Sequence, residues 1–311
     1  METVETGKKE RFLHFMRYRL VAAFVSITLI VLSIYTWISS GDARYGIDFI
    51  GGSELVVRLG SGPGIGDVRQ ALTDGGIVES VVQEFNQSLV ESGSSSEFSI
   101  RVRSNAKEGT GKEVRGLLAD KLKVSVEILK EDFVGPVVGD QIRSDGILAI
   151  ILSLVGILIY ITVRFEFKYA LGVIVALIHD VTIASGLFIL SGREFNVPVL
   201  AALLTIIGYS VHDTVIIFDR VRETLAKERK LKVGKRPWSD IVDVSLNETL
   251  SRTLLTSLTV LFVVTVLWIM GGGAVADLSF TLVIGVIVGT YSSMYVACPI
   301  FLLLNRRRLN E

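Results

Sequence analysis

A single cysteine, Cys298, stands among 311 residues, so no disulfide framework holds this chain, and its redox compartment stays open. Net charge is missing too. The 32 basic residues balance 32 acidic ones, which removes the basic excess that a nucleic-acid partner requires. Polar sequence is itself scarce: half of the residues are hydrophobic and the mean hydropathy is +0.54. A soluble domain of this length cannot hide so much apolar surface, which points to a membrane protein.

What is present instead is six apolar runs: Leu20–Ile38, Ile147–Val163, Tyr169–Leu190, Val197–Phe218, Leu254–Met270 and Leu278–Leu304. They hold 17 to 27 residues, and four of them carry no charge. A helix rising about 1.5 Å per residue needs about 20 residues to cross a hydrocarbon core of about 30 Å. Each run is therefore expected to be a transmembrane helix. The first follows Lys8, Lys9, Arg11, Arg17 and Arg19, but it is too long for a signal-peptide core and lacks a good cleavage site, so an uncleaved anchor is expected.

Orientation follows from the basic residues in the connections. With residues 1–19 inside, the inner segments hold 19 basic residues: five before the first run, two at 164–168, nine in the loop 219–253, and three in the tail 305–311. The short outer loops hold one, Arg193. Both termini are thus expected in the cytoplasm and residues 39–146 outside.

Within that outer segment the period of the pattern changes. Ser53–Leu59, Val78–Phe85, Glu97–Arg103 and Ser125–Phe133 read as strands. Residues 65–72 and Glu113–Leu122 read as helices, and 87–96 as a polar loop. The order β-α-β-β-α-β predicts a ferredoxin-like sandwich. The expected fold is a polytopic α-helical membrane protein, six transmembrane helices with one small α+β periplasmic domain. Two glycine-rich stretches are decoys. In Gly60–Gly66 Ile65 takes the place of a dinucleotide fingerprint's third glycine, and in Gly109–Glu113 Glu113 stands where a P-loop needs Ser or Thr.

The informative residues are ionisable groups inside the apolar runs. His179 and Asp180 lie in the third, His212 and Asp213 in the fourth, and Arg252 just ahead of the fifth. A charge at mid-bilayer costs roughly 2.5–3.5 kcal/mol, so such groups need a partner or a wet cavity. Asp213 lies about one and a half turns above the inner boundary, within reach of a long guanidinium that starts from the same boundary. Asp213 and Arg252 are therefore the expected coupling pair, with His212, His179 and Asp180 as supporting polar groups. Gly285 and Gly289 form a GxxxG pattern for close helix approach. Gly271–Gly273 is expected to loosen the outer end of the fifth helix. The basic loop 220–252 reads as a surface-lying amphipathic helix or a solvated loop.

Several of these stretches together resemble the SecF family, the smaller integral subunits of the SecD–SecF auxiliary complex of bacterial protein translocation. They are Gly46–Gly52 (GIDFIGG), Gly135–Gly139 (GPVVG), His179-Asp180, Gly208–Arg220 and Asn247–Thr253. The resemblance implies a twelve-helix assembly with SecD, similar to RND-superfamily transporters. It implies association with the SecYEG channel and use of the proton motive force to promote translocation of unfolded secretory proteins across the inner membrane. The family's intramembrane aspartate and arginine map onto Asp213 and Arg252. The resemblance implies no enzymatic chemistry, cofactor or metal. The rival functions are half of an RND-type small-molecule exporter and a non-conducting scaffold of the translocon. The six-residue outer loop 191–196, where such an exporter carries a second domain, speaks against the former.

Overall fold

The computed structural model describes residues 12–60, 62–77, 80–85, 96–103, 109–231 and 236–305. Most of the loop 87–96 lies outside them, as do Lys8, Lys9, Arg11, Lys232, Lys235 and Arg306 to Arg308.

The outer domain contains β1 (Gly52–Leu59), α3 (Ile65–Asp74), β2 (Ser80–Phe85), β3 (Ser96–Val102), α4 (Thr110–Leu122) and β4 (Val126–Val134). The strands form one antiparallel sheet in the order β2-β3-β1-β4. This is the ferredoxin-like arrangement that the alternating periods predict. Every second residue of β1 and β3 faces the helices: Leu55, Val57, Leu59, Phe98, Ile100 and Val102 are buried against Val68, Leu72, Val114 and Leu118. Val78 and Glu79, the first two residues of the expected second strand, lie outside the described residues, and α4 begins three residues earlier than expected, at Thr110. At that start Glu131 accepts a hydrogen bond from Gly111 N–H at 2.9 Å, so a carboxylate of the domain's own occupies the P-loop-like turn.

Among the described residues, six helices are long and apolar enough to cross a membrane. They are α1 (Arg19–Ser39, entered through a 3-10 turn at Phe15–Tyr18), α5 (Pro136–Arg164), α6 (Phe167–Leu190), α7 (Val197–Leu231), α8 (Trp238–Met270), and α9 (Gly273–Ser292) with α10 (Cys298–Asn305). Most outrun the apolar runs, because polar residues of good helix propensity continue the backbone ladder past the hydrophobic part. In place of a separate surface helix, the described parts of the loop 220–252 are the end of α7, to Leu231, and the start of α8, from Trp238. Gly271–Gly273 makes a tight turn, with Gly271 N–H donating to Leu267 O at 2.7 Å and Gly273 at φ +49°. The sixth crossing is broken by a π-helical turn at Ser293–Ala297. Pro299 lies one turn further on and has no N–H to give, so the widened turn rearranges the ladder around it.

Burial sorts the helices. In its most apolar window α6 is 61% buried, whereas α5 is 11% buried. Helices α6, α7 and α9 form the centre, and α1, α5 and α8 flank it with apolar faces left to lipid. The outer domain joins this bundle through glycines. A four-residue helix α2 (Ile47–Ile50) ends at Gly51 and Gly52, whose φ of +82° and +138° favour glycine. A Cβ on Gly139 of α5 would sit 3.0 Å from Gly51 N, so the two glycine-bearing motifs are where backbones touch.

Candidate functional site

Two His-Asp dipeptides face the buried seams of the bundle. On α6, Asp180 is fully buried and His179 is 3% exposed. His179 Nδ1 and Asp180 Oδ1 are 2.9 Å apart. Ser210 of α7 and Ser292 of α9 donate to Asp180 Oδ2 at 2.6 and 2.7 Å. His179 Nε2 lies 3.1 Å from Ser26 Oγ of α1, and Ser26 lies 3.1 Å from the hydroxyl of Tyr291. Three helices thus meet on one carboxylate, and α1 joins them through the histidine. The close approach of α9 depends on Gly289, where a Cβ would lie 3.3 Å from Ser210 Cβ and 3.7 Å from Asp180 Oδ2. Gly285, the other glycine of the pattern, sits against Ile206 of α7.

Asp213, on α7 one turn from Ser210, is equally hidden at 1% exposure but differently served. Ser257 of α8 donates to its Oδ2 at 3.5 Å, and His212 Nδ1 stands 3.7 Å from its Oδ1. Ser257 also accepts from Tyr209 at 3.0 Å and from Thr290 of α9 at 2.8 Å. This hydroxyl therefore ties α7, α8 and α9 together next to the acid. The sequence pattern turns His212 away around the helix; in the structure its ring reaches back to Asp213 while 61% of the side chain stays exposed.

Arg252 lies on the same helix as Ser257, about 7.5 Å further along the axis. Its side chain is exposed, and no ion pair joins it to Asp213 among the described residues. The site is therefore a buried acid with one long hydroxyl contact, a histidine at its edge, and a guanidinium within a side chain's swing.

A second polar constellation lies at the other end, where the outer domain meets the turn between α6 and α7. Glu194 bridges Arg103 at 2.6 Å and Arg101 at 3.3 Å, both on or just after β3. Arg101 is also held by Glu54 at 2.9 Å. Burial pulls the Arg101 pKa down, but Glu54 and Glu194 outweigh it and hold the group above its ordinary value. Backbone pairing reinforces the joint: Gly46 N–H donates to Phe195 O at 2.8 Å and Phe195 N–H to Arg44 O at 2.7 Å. Arg193, read as a loop charge, pairs with Asp277 of α9 at 2.5 Å. Sequence reasoning misses Ser26, Ser210, Ser257, Thr290 and Ser292, since a hydroxyl inside an apolar run carries no periodic signal.

Comparison with known proteins bears on the same elements. Residues 114–307 match the family model described as protein export membrane protein SecD/SecF, C-terminal. A protein translocase subunit SecF of Rickettsia rickettsii is 39% identical over 300 residues, covering 96% of this chain and 93% of that one. The SecF of Vibrio alginolyticus is 40% identical over 298 residues, covering 95% and 90%. Among solved structures, SecDF of Thermus thermophilus, described as a translocon-associated membrane protein, superposes with a TM-score of 0.81 at 31% identity. The match covers 96% of this chain and 39% of that one, so this chain spans about two fifths of that longer protein. SecDF in a super-membrane-facing form gives a TM-score of 0.69 at the same 31% identity.

Proposed function

The chain belongs to the SecD/SecF family of protein-export membrane proteins, and we propose that it converts proton movement into mechanical work on exported chains. Its role in export is SecF-like: a multi-pass membrane subunit of a protein translocase, with SecD as its partner. The work is conformational rather than enzymatic. The pair assembles into a twelve-helix complex that associates with the SecYEG channel and acts on unfolded secretory proteins. Both termini face the cytoplasm and the ferredoxin-like domain stands on the outer side of the bacterial inner membrane. The distribution of basic residues supports this orientation.

One observation carries the mechanism. Asp213 is buried and, among the described residues, pairs with no lysine or arginine, although Arg252 is mounted one and a half turns away on the helix that supplies its hydroxyl partner. Moving a guanidinium to or from a carboxylate changes its proton affinity. A proton passing through Asp213 therefore changes how strongly α7 holds α8. The Ser257 hub passes that change to α9, which packs on α6 and α7 through Gly285 and Gly289. At the far end, α6 and α7 are joined by the turn that grips the outer domain through Glu194 and Phe195. One charge across 100 mV is worth about 2.3 kcal/mol, sufficient to reorient a domain and insufficient to unfold a substrate.

The test is Asp213→Asn in a complex that still assembles with SecD. The expected outcome is loss of gradient-dependent export in cells that need the complex. Undiminished export would refute the mechanism and favour the scaffold reading.

A further inference from the structure

At the end of the bundle opposite the outer domain, a cavity of about 570 Å³ opens between the ends of five helices. Arg164 of α5, Arg222 and Lys230 of α7, and the aromatic side chains of Phe165, Tyr169 and Trp238 line it. Neither the coupling site nor the joint with the outer domain uses any of these groups.

The charges there are unbalanced. Arg164 has a carboxylate nearby, Asp219 at 3.5 Å, and the cavity wall itself holds one acidic residue, Glu166, which is exposed. Arg222 and Lys230 make no ion pair among the described residues. Arg222 instead reaches Arg164 O at 3.5 Å and lies 5.6 Å from the ring centre of Phe165. Arg164 stands over the same ring at 4.9 Å. A planar guanidinium held on an aromatic face keeps its N–H edge free for a phosphate oxygen. Two helices also begin at this cavity, α6 at Phe167 and α8 at Trp238, and neither N-cap residue, Glu166 or Pro237, makes a side-chain cap bond. Their first N–H groups add positive potential to that of the side chains.

Depth and rim decide what kind of phosphate fits. The cavity lies where the apolar parts of the crossings end, the level of lipid headgroups, and Phe165, Tyr169 and Trp238 are residues of that layer. Beside it, Val163 and Phe167 are 82% and 56% exposed, an apolar rim open to hydrocarbon. A free phosphate has no use for such a rim; an acyl chain does. We propose that this cavity binds the phosphodiester headgroup of an anionic glycerophospholipid from the same leaflet, with its acyl chains against Val163 and Phe167. Basic pockets between transmembrane helices on this side of a membrane suit such lipids.

The experiment uses the full chain, delipidated in detergent and titrated with phosphatidylglycerol or phosphatidylcholine, with bound lipid counted by native mass spectrometry. The wild type is expected to prefer phosphatidylglycerol, and Arg222→Gln to weaken that binding about fivefold. Lys227→Gln removes a charge from the same helix end, but Lys227 is paired with Glu223 at 2.8 Å and lies off the cavity wall. It is expected to leave binding unchanged. Arg222→Lys, which keeps the charge, should retain most of the affinity and show that the glutamine variant loses binding rather than folding. Equal losses in Arg222→Gln and Lys227→Gln would overturn the site, as would equal binding of phosphatidylcholine. Displacement of the lipid by inorganic phosphate at matched concentration would assign the cavity to free phosphate and overturn the lipid assignment.

Discussion

The chain carries the same dipeptide twice, His179-Asp180 on α6 and His212-Asp213 on α7, and the structure gives the two copies opposite surroundings. Asp180 faces three donors from three helices, two of them hydroxyls within 2.7 Å, and its histidine is buried and bonded at both nitrogens. Asp213 has one hydroxyl at 3.5 Å and a histidine that is mostly exposed. A saturated carboxylate in a dry seam resists change, because releasing it strands several donors at once. A sparsely served one can exchange a proton or a partner with little rearrangement. The difference does not lie in the two residues. It lies in the serines of neighbouring helices, present around Asp180 and thin around Asp213. In the mechanism proposed above, the first site fastens the bundle and the second does the work.

If this contrast is right, removing the two acids has unequal consequences for folding. Asp180→Leu removes the carboxylate that His179, Ser210 and Ser292 share, leaving His179 only Ser26 and Ser292 only Gly289 O, and the expected loss is about 3–5 kcal/mol of unfolding free energy in mixed micelles. Asp213→Leu strands one weakly held hydroxyl, and the expected loss stays under about 1.5 kcal/mol. A variant at Asp213 that proved as damaging to folding as one at Asp180 would erase the distinction. The histidines repeat the contrast on a smaller scale. His179→Ala removes a ring bonded to Asp180 and Ser26, for about 2 kcal/mol, while His212→Ala, at an exposed ring, should cost under about 0.5 kcal/mol. Thermal unfolding of the two variants side by side reads the difference directly.

The architecture was readable in advance where its cause is local or periodic. Six apolar runs announce six crossings, and alternation at Phe98, Ile100 and Val102 announces a strand whose apolar face is buried. The motif glycines could be singled out by resemblance, but their reason appears in three dimensions: Gly51 and Gly52 need positive φ, and Gly139 needs bare backbone beside it. The acids could be named, since a charge in an apolar run stands out. What surrounds them could not. Ser26, Ser210 and Ser292 are 184 and 82 residues apart in the chain, and nothing in a serine's local sequence says which acid it will face. The same holds for Glu194, whose guanidinium partners come from a strand about ninety residues away. The extent of α7 and α8 was also hidden, because hydropathy marks where lipid suits a helix and says nothing of where the hydrogen-bond ladder stops.

The finest test of the contrast is Ser257→Ala. In the structure Ser257 takes hydrogen bonds from Tyr209 and Thr290 and gives its own proton to Asp213. Thr290 keeps a second acceptor, Val286 O at 2.8 Å, so its loss is small. Tyr209 is half-buried and can turn to water. The cost in stability is accordingly about 1 kcal/mol, between those of His179→Ala and His212→Ala. Coupling should suffer out of proportion, because this hydroxyl is the link from Asp213 to α9. Gradient-dependent export is expected to fall in Ser257→Ala while assembly with SecD and the melting temperature stay near those of the wild type. Ser292→Ala serves as the counterpart: it removes one of several donors to Asp180, so it should lower stability by a similar amount and leave coupling intact. If the two serine variants lowered export alike, the division between a fastening acid and a working acid would fail, and both carboxylates would belong to one continuous polar path through the bundle.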